Sequence, residues 1–212
     1  MKIISHRGLW NKPSEKNSLS SFKNSIDQNF GFEIDIRSFN GELIVSHDPL
    51  DDKHQSIRFC DVLSYYQINN SEVFIAINIK EDGLDFLIKK ILTKFDIENY
   101  FVFDMSIPDM VIYSNSNITF FTRQSEYEKH PALYEKASGI WLDEFDSHWI
   151  NDEIIQFHHN NNKKICIVSP ELHNRDFTDE WKKYKKILSS KTNFTNLMIC
   201  TDYSEKAKKF FN

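Results

Sequence analysis

The chain has 212 residues, a formal net charge of −5 and 14% aromatic residues. Its 18 Phe exclude wholesale disorder, and its five Gly and five Pro exclude collagen and proline-rich linkers. The acidic balance argues against a nucleic-acid partner, because nucleic-acid-binding domains usually have a basic surplus. We expect one domain over residues 1–212, since this length is enough to bury one core without disulfide or metal support.

The sequence also limits where the protein is expected to reside. The N-terminal residues lack the apolar core of a signal peptide, and no apolar run approaches the roughly 18 residues of a membrane-spanning helix. Three Cys without a CxxC pair predict no disulfide framework. We therefore expect a soluble, cytoplasmic protein without a membrane span. The oligomeric state is not indicated.

Short runs of β-branched and aromatic residues between breakers predict strands along the whole chain. In chain order they are Lys2–Ser5, Gly31–Arg37, Val73–Lys80, Tyr100–Asp104, Ile118–Thr122, Gly139–Asp143, Lys164–Ser169 and Leu197–Thr201. A further run, Glu42–Ser46, follows Asn40-Gly41. Because Asn-Gly is a strong hairpin signal, this run is predicted to fold back on the second strand.

Helix-like segments, with apolar residues three and four positions apart, lie between these strands. They are Asn17–Gln28, Phe59–Tyr66, Leu84–Phe95, Ile107–Tyr113, Ser125–Ala137, Asp152–His159, Asp179–Leu188 and Ser204–Phe211. Such alternation favours parallel strands joined by crossover helices. The predicted fold class is therefore α/β, a compact TIM (β/α)8 barrel. An open doubly wound sheet is disfavoured because its Gly-rich phosphate loop is missing.

The second predicted strand has a polar face. Glu33, Asp35 and Arg37 point to the same side, because successive side chains of a strand alternate between faces. Buried carboxylates are costly unless they are paired or hold a ligand, and two side by side favour a bound cation. Oxygen ligands favour Mg²⁺ or Ca²⁺ over Zn²⁺. The alternative is a solvent-facing strand of an antiparallel hairpin.

Neighbouring segments add further candidate residues. Asn78 could supply a neutral oxygen ligand from the third strand, and Lys80 a positive charge suited to phosphate. His6 ends the first strand and His47 follows the hairpin, so the pair could perform general acid–base catalysis beside a metal-bound phosphate. The remaining histidines that we weighed, His54, His130, His158 and His159, are interpreted as core or surface residues.

Polar residues also lie at the ends of the later predicted strands, where a (β/α)8 enzyme keeps its active site. Arg123 ends the fifth strand, and Glu171 lies just beyond the seventh. Trp141 shares a face of the sixth strand with Asp143 and is therefore a candidate for lining the pocket. We predict substrate contacts from Arg123, Trp141 and Glu171.

Four motifs, in their order and spacing, resemble those of the glycerophosphodiester phosphodiesterases. They are His6-Arg7-Gly8, the segment Pro13-Ser14-Glu15-Lys16-Asn17-Ser18, Glu33-Ile34-Asp35, and Ser46-His47-Asp48. Near the end of the chain, Thr201-Asp202-Tyr203 resembles the family's closing motif. The resemblance thus spans most of the chain.

The resemblance implies a TIM barrel with a divalent metal. By it, Glu33 and Asp35 are metal ligands, His6 and His47 are the acid and base, and Arg7 and Lys80 hold phosphate. Two places depart from the family pattern. Asn78 stands where the family has the Glu of an E-x-K motif, so either the metal binds more weakly or another carboxylate, such as Asp104 or Asp143, helps to bind it. Ile167–His173 stands in place of a Trp-containing motif.

The sequence therefore predicts a metal-dependent phosphodiesterase that cleaves a small-molecule phosphodiester, of glycerophosphodiester or polyol-phosphate type. One alternative is a barrel that binds a phosphorylated ligand without turnover, which the neutral Asn78 favours. Another is a phosphodiesterase acting on a surface-glycan precursor, which the altered seventh-strand segment favours. Attack by water and attack by a substrate hydroxyl, giving a cyclic phosphate, both remain open.

Overall fold

The computed structural model describes residues 1–50, 57–69, 71–190 and 196–211. Contacts within the chain group these residues into two units. The N-terminal unit is Ser5–Phe120. The C-terminal unit consists of Met1–Ile4 and the chain from Phe121 onward.

Strand β1, Lys2–Ser5, is followed in the N-terminal unit by strands and helices in alternation. The strands of this unit are β2 Gly31–Phe39, β3 Glu42–Val45, β4 Ile75–Ile79 and β5 Tyr100–Phe103. Its helices are α1 Leu19–Asp27, α2 Phe59–Ile68, α3 Asp85–Lys94 and α4 Ile107–Asn115. Strand β4 pairs in parallel with both β2 and β5, whereas β3 is antiparallel to β2. The predicted parallel strands and hairpin are both confirmed here.

The C-terminal unit continues the alternation. Its strands are β6 Phe121–Gln124, β7 Gly139–Leu142, β8 Lys164–Val168 and β9 Leu197–Thr201. Its helices are α5 Asp152–Asn160, α6 Thr178–Ser190 and α7 Ser204–Phe211. Neighbouring strands from β6 to β9 pair in parallel, and β1 lies beside β9. Among the described residues, no helix is long and apolar enough to cross a membrane.

Strand β2 is buried on both faces from Gly31 to Ile36. Its apolar side includes Phe32, whose ring packs 5.2 Å from that of Phe22 on α1. Burying each such side chain contributes about 1.5–3 kcal/mol. Because the opposite, polar side is buried as well, the alternative of a solvent-facing hairpin strand is wrong. The Glu33 and Asp35 carboxylates lie inside the protein, where they need partners.

One predicted helix is absent. Ser125–Ala137 forms turns and bends, although its apolar spacing predicts a helix. The carboxylate of Glu126 accepts backbone N–H groups of residues 145–147, and Ser125 Oγ accepts those of Tyr127 and Glu128. Leu133 adopts a positive φ of 51°. These side-chain contacts with the backbone compete with a helical ladder and outweigh the local pattern.

The fifth predicted strand is displaced along the chain. It is predicted over Ile118–Thr122, but β6 comprises Phe121–Gln124. Ile118 is instead tied to the end of α4, because its N–H donates to the carbonyl of Tyr113. Phe120 makes only an isolated bridge to Val102. Arg123 is therefore a strand residue rather than the residue that follows the strand.

Candidate active site

The turn after β1 places main-chain donors beside the carboxylates of β2. Arg7 and Gly8 both have positive φ, 58° and 83°. A side chain at Gly8 would collide with Ser21 of α1, so this position requires glycine. The turn directs the N–H of Arg7 to Glu33 Oε2 at 3.0 Å. It also leaves the Arg7 guanidinium facing Asp35.

Asp35 lies at the centre of the charged cluster. Its carboxylate is fully buried and contacts two cations: Arg7 Nε lies 3.0 Å from Oδ2, and Lys80 Nζ lies 3.3 Å from Oδ1. Asn17 Nδ2 donates to Oδ2 at 2.7 Å. Two separate segments, the β1–α1 loop and the end of β4, therefore converge on one carboxylate of β2.

Asn17 is a site residue to which sequence reasoning assigned no role in the site. Its backbone is in the left-handed region, with φ of 57°, and its N–H donates to the carbonyl of Arg7 at 3.0 Å. Ser18, the next residue, is the N-cap of α1 and accepts from the N–H of Ser21. The available signal was the position of Asn17 in the family-like segment. That position did not reveal its contact with Asp35.

The two carboxylates of β2 differ in their titration. Burial, reinforced by the nearby Asp35 charge, raises the pKa of Glu33 from 4.5 to about 8. Burial also opposes ionisation of Asp35, but Lys80 and Arg7 hold the pKa of Asp35 below its usual value. Without a cation between them, Asp35 is therefore the ionised member of the pair and Glu33 the protonated member at neutral pH.

The structure brings Asn78 beside Asp35. The two residues are directly paired in the parallel register of β2 and β4, so their side chains share a face. Asn78 is 7% exposed, and neither its Oδ1 nor Asp35 Oδ1 has a hydrogen-bond partner among the described residues. Lys80 Nζ lies 3.3 Å from Asp35 Oδ1, whereas the buried Asn78 oxygen is available to a ligand. Together with Glu33, the Asp35 and Asn78 oxygens fit the oxygen set that Mg²⁺ or Ca²⁺ prefers.

The loop after β3 holds His47 close enough to Asp35 for its charge to lower the pKa of that carboxylate. The N–H of Ser46 donates to the carbonyl of Asp35 at 3.0 Å, and Ser46 Oγ donates to the carbonyl of Asp48 at 2.7 Å. His47 Nδ1 is 2.8 Å from Asp48 Oδ1, and the His47 side chain is 46% exposed. The Nδ1 edge of the imidazole ring is thus anchored by Asp48, while the side chain remains accessible to solvent.

His6 immediately precedes Arg7 and is half-buried. Its carbonyl accepts a hydrogen bond from Trp10 Nε1 at 3.1 Å, which fixes the main chain at the end of β1.

Asp104, one of the two residues considered as a substitute carboxylate, follows β5 and has its backbone in the left-handed region, with φ of 67°.

Three predicted substrate contacts lie in the C-terminal unit. Arg123 forms an ion pair with Glu128, and its guanidinium lies 5.8 Å from the centre of the Phe145 ring. Trp141 is buried. Glu171 accepts hydrogen bonds from Ser169 Oγ, Thr201 Oγ1 and the N–H of Asp202, although burial raises its pKa. Their contact with substrate stays a prediction.

Asp143, the other substitute carboxylate considered, is held by a histidine. His173 Nε2 lies 2.6 Å from Asp143 Oδ1, and this hydrogen bond raises the pKa of His173. Asp143 therefore has a hydrogen-bond partner within its own unit.

The histidines interpreted as structural differ in their surroundings. His158 is buried between Tyr134 and Gln124, with 2.8 and 2.7 Å hydrogen bonds to them. Burial lowers its pKa to about 4, so it is neutral at pH 7. His130 is exposed, and His54 lies outside the described residues.

A second group of potential ligands lies in the C-terminal unit. One ligand atom each of Glu144, His148 and Glu180 lies within 4.8 Å of the other two. These three residues follow no motif or spacing in the sequence that would have indicated a site. Glu144 also accepts the N–H of Ile150 at 2.8 Å, and Lys183 forms an ion pair with Glu180. Each of the two carboxylates thus has a partner within the C-terminal unit.

Sequence comparison finds no matching family model and no matching curated protein. Comparison of structures does find similar folds. A candidate glycerophosphodiester phosphodiesterase from Galdieria sulphuraria has a TM-score of 0.78 and 16% identity, over 99% of this chain and 97% of that one. A glycerophosphodiester phosphodiesterase from Parabacteroides distasonis has a TM-score of 0.71 and 13% identity, over 99% and 96%.

A third similar structure is an Oleispira antarctica phosphodiesterase, solved in complex with the product sn-glycerol-3-phosphate. It has a TM-score of 0.71 and 13% identity, over 99% of this chain and 96% of that one. At such identities these likenesses establish the fold. The predicted α/β TIM-barrel class is confirmed, and the resemblance to the glycerophosphodiester phosphodiesterases is confirmed at the level of the fold.

Proposed function

We propose that this protein is a phosphoric diester hydrolase, a metal-dependent phosphodiesterase of the glycerophosphodiester phosphodiesterase type. The observation that supports this best is the buried Asp35, which contacts Arg7 and Lys80 and lies beside an Asn78 oxygen that has no hydrogen-bond partner among the described residues. Anionic ligands for a cation and cationic groups for a phosphate thus lie within one cluster. The fold likeness to known phosphodiesterases agrees with this chemistry.

Glu33, Asp35 and Asn78 are the residues that would hold a divalent metal, Mg²⁺ or Ca²⁺. Such an ion, when bound, polarises a phosphoryl oxygen and stabilises the negative charge that develops on it. The protein contributes the fixed positions of the three oxygens. Asn17 contributes to this geometry because its amide holds Asp35 Oδ2.

Arg7 and Lys80 are the proposed phosphate contacts. Both lie against Asp35, which fixes their positions before substrate binds. Donors that are positioned in advance stabilise developing charge without reorganising during the reaction. Arg7 Nε lies 3.0 Å from Asp35 Oδ2, so the ion pair fixes the direction in which the guanidinium points.

His6 and His47 are the proposed acid–base pair. One accepts the proton of the attacking hydroxyl as the new P–O bond forms, and the other donates a proton to the alcohol oxygen as the old P–O bond breaks. Asp48 engages His47 at Nδ1, so Nε2 is the atom that would exchange the proton. Either water or a hydroxyl of the substrate fits the role of nucleophile.

The substrate is proposed to be a small-molecule phosphodiester, with a glycerophosphodiester, a polyol-phosphate-type compound and a surface-glycan precursor as candidates. Arg123, Trp141 and Glu171 are the proposed substrate contacts outside the metal cluster.

Cys60, Cys166 and Cys200 are free thiols, which agrees with the proposed cytoplasmic location.

The test is the release of an alcohol from a panel of phosphodiesters with added Mg²⁺, Ca²⁺ or Mn²⁺. His6→Ala and His47→Ala should each reduce the rate by about 10²- to 10⁴-fold, the usual contribution of a general acid or base. His130→Ala, a change of an exposed histidine, is the matched control and should leave the rate unchanged. Equal rates in all four proteins would refute the proposed mechanism.

A second candidate function is binding of a phosphorylated ligand without turnover. The neutral Asn78 favours it. When Glu33 is protonated, Arg7 and Lys80 carry two positive charges against the single negative charge of Asp35, so the cluster has a net positive charge that suits a phosphate. Calorimetric titration with a phosphodiester distinguishes the two functions. Tight binding without product in any of the metals would favour this candidate, and turnover would exclude it.

A further inference from the structure

Arg37 is a charged residue of β2 to which the proposed chemistry assigns no role. It follows Asp35 by two positions on the same face of the strand, and its side chain is only 16% exposed. Its Nε and Nη2 both donate to the main-chain carbonyl of His47, at 3.2 and 3.1 Å. Two N–H groups of a planar guanidinium fix both the distance and the direction of that carbonyl.

The same guanidinium also faces the end of β4. Arg37 Nη1 lies 3.6 Å from Glu81 Oε2, and Glu81 immediately follows Lys80. The other carboxylate oxygen of Glu81 accepts from the N–H and Oγ of Ser38, at 2.8 and 2.5 Å. Glu81 is therefore held by β2 on one side and contacts Arg37 on the other. Glu81 thus connects the end of β4, next to Lys80, with the Arg37 guanidinium that contacts His47.

The loop that contains His47 thus has two attachments to β2. The N–H of Ser46 donates to the carbonyl of Asp35, and the carbonyl of His47 accepts from Arg37. These two attachments bracket Ser46 and His47, and they restrict the backbone rotation of this two-residue segment. Because the imidazole projects from His47, the two attachments also limit where its ring can lie.

We propose that Arg37, supported by Glu81, is a positioning residue that sets the place of the His47 imidazole. This inference rests on the proposed function for its effect on rate. Arg37 acts through the main chain of His47 and not on the substrate. Lysine cannot replace it, since a single ammonium lacks the planar fork that donates twice to the carbonyl while facing Glu81. A displacement of about 1 Å at a catalytic group can reduce the rate about 10²-fold.

The first test compares Arg37→Lys with Arg58→Lys. Arg58 pairs with Asp61 and Glu42 and is half exposed, so it is a matched control within the same unit. Arg37→Lys should lower kcat by about 10- to 100-fold with KM within about twofold, whereas Arg58→Lys should leave both unchanged. In a protein that already carries His47→Ala, Arg37→Lys should cause no further decrease of kcat. An equal loss in both backgrounds, or no loss in either, would overturn the inference.

The second test does not depend on turnover. The imidazole signals of His47 in a heteronuclear magnetic resonance spectrum are identified by their loss in His47→Ala. They should move in Arg37→Lys and stay in place in Arg58→Lys. Unmoved signals in Arg37→Lys would overturn the positioning role. Moved signals in a protein that cleaves no phosphodiester would support positioning while refuting the proposed function.

A third variant covers the case in which Arg37→Lys does not fold. Glu81→Gln retains an oxygen for the Ser38 donors but loses the charge that faces Arg37. It should move the same His47 signals in the same direction by a smaller amount. His47 signals identical to those of the wild type would count against the role of Glu81 and of the guanidinium that it supports.

Discussion

Asp35 is the residue on which the candidate site depends most. It is a fully buried carboxylate that balances Arg7 and Lys80 and receives an amide hydrogen bond from Asn17. Removing one partner of a buried ion pair is strongly destabilising, by about 3–5 kcal/mol, because it leaves an uncompensated charge. We therefore expect replacement of Asp35 to destabilise the fold as well as to remove a candidate metal ligand.

Asn78 determines how strongly the cluster can bind a cation. Asn78→Asp adds a negative charge beside Asp35 and should raise the affinity for Mg²⁺ or Ca²⁺ by about tenfold or more, since affinity follows the charge of the ligand set. Isothermal titration calorimetry measures the change. Asn161→Asp, at the exposed end of α5, is the control and should not alter the affinity. An unchanged affinity in Asn78→Asp would argue that this oxygen does not face the ion.

The raised pKa of Glu33 predicts a pH dependence of stability in the metal-free protein. Its folded pKa of about 8 lies above the usual 4.5, so the folded state retains a proton that the unfolded state loses. The free energy of unfolding should therefore decrease as the pH rises between these values. Glu33→Gln should remove that part of the decrease. Urea unfolding of the wild type and of Glu33→Gln at pH 5 and pH 8, with a chelator present, measures this difference. An equal decrease of the free energy of unfolding in both proteins would contradict the prediction.

At the residue scale the sequence was informative where chemistry follows strand periodicity. Glu33 and Asp35 could be predicted as neighbours because alternate residues of a strand share a face. Asn17 could not be placed in the same way. Its contact with Asp35 depends on left-handed backbone at Arg7, Gly8 and Asn17, which brings together residues 18 positions apart.

Among the elements, the turn between β1 and α1 is sensitive to one glycine. Gly8 and Gly41 have similar positive φ values, 83° and 78°, but only a side chain at Gly8 would collide with Ser21. Both alanine variants should lose about 1–2 kcal/mol to the left-handed backbone. Gly8→Ala should lose about 1–3 kcal/mol more, because the collision forces the backbone to shift. Denaturant unfolding measures the difference, and equal losses would contradict the collision.

The loop from Ser125 to Ala137 depends on Glu126. Burial opposes the charge, yet backbone N–H groups of Ser147, Asp146 and Phe145 lower the pKa of Glu126 to about 2. Because the folded pKa lies below the usual 4.5, this stabilisation is present above that pH and is lost as the pH falls toward 2.

Glu126→Gln should therefore reduce the free energy of unfolding at pH 7 by about 1 kcal/mol, because solvent screening at this partly exposed carboxylate reduces the usual contribution of hydrogen bonds to a charged group. The difference from the wild type should shrink as the pH falls to 3. Glu153→Gln, an exposed change on α5, serves as the control. A loss that is independent of pH would show that the charge of Glu126 is not what holds the loop.

The same loop marks the limit of prediction at the element scale. Its apolar spacing suits a helix, but the contacts that decide its conformation join Glu126 to residues 19–21 positions later. No local pattern contains that information. The hairpin of β2 and β3 was predictable because its signal, Asn40-Gly41, is local: both residues have the positive φ that such a turn needs.

At the scale of the whole molecule, the fold followed from the regular alternation of strands and helices. Identities of 13–16% to proteins with TM-scores of 0.71–0.78 show how little of the sequence that architecture requires. The identity of the substrate could not be predicted in the same way, because it depends on a few loop side chains whose contacts are not fixed by periodicity. Arg123 illustrates this: its place at a strand end predicted a contact with substrate, but strand periodicity did not predict its ion pair with Glu128.

The central claim is that the Asp35 cluster cleaves a phosphodiester with the help of a divalent cation. The most direct measurement is the rate at which a glycerophosphodiester releases its alcohol, with Mg²⁺ or Ca²⁺ and again with excess chelator, for the wild type and Asp35→Asn. We predict turnover by the wild type that stops with chelator and returns with added metal. Asp35→Asn should be slower by at least about 10²-fold. Equal rates with and without chelator, or in both proteins, would contradict the claim.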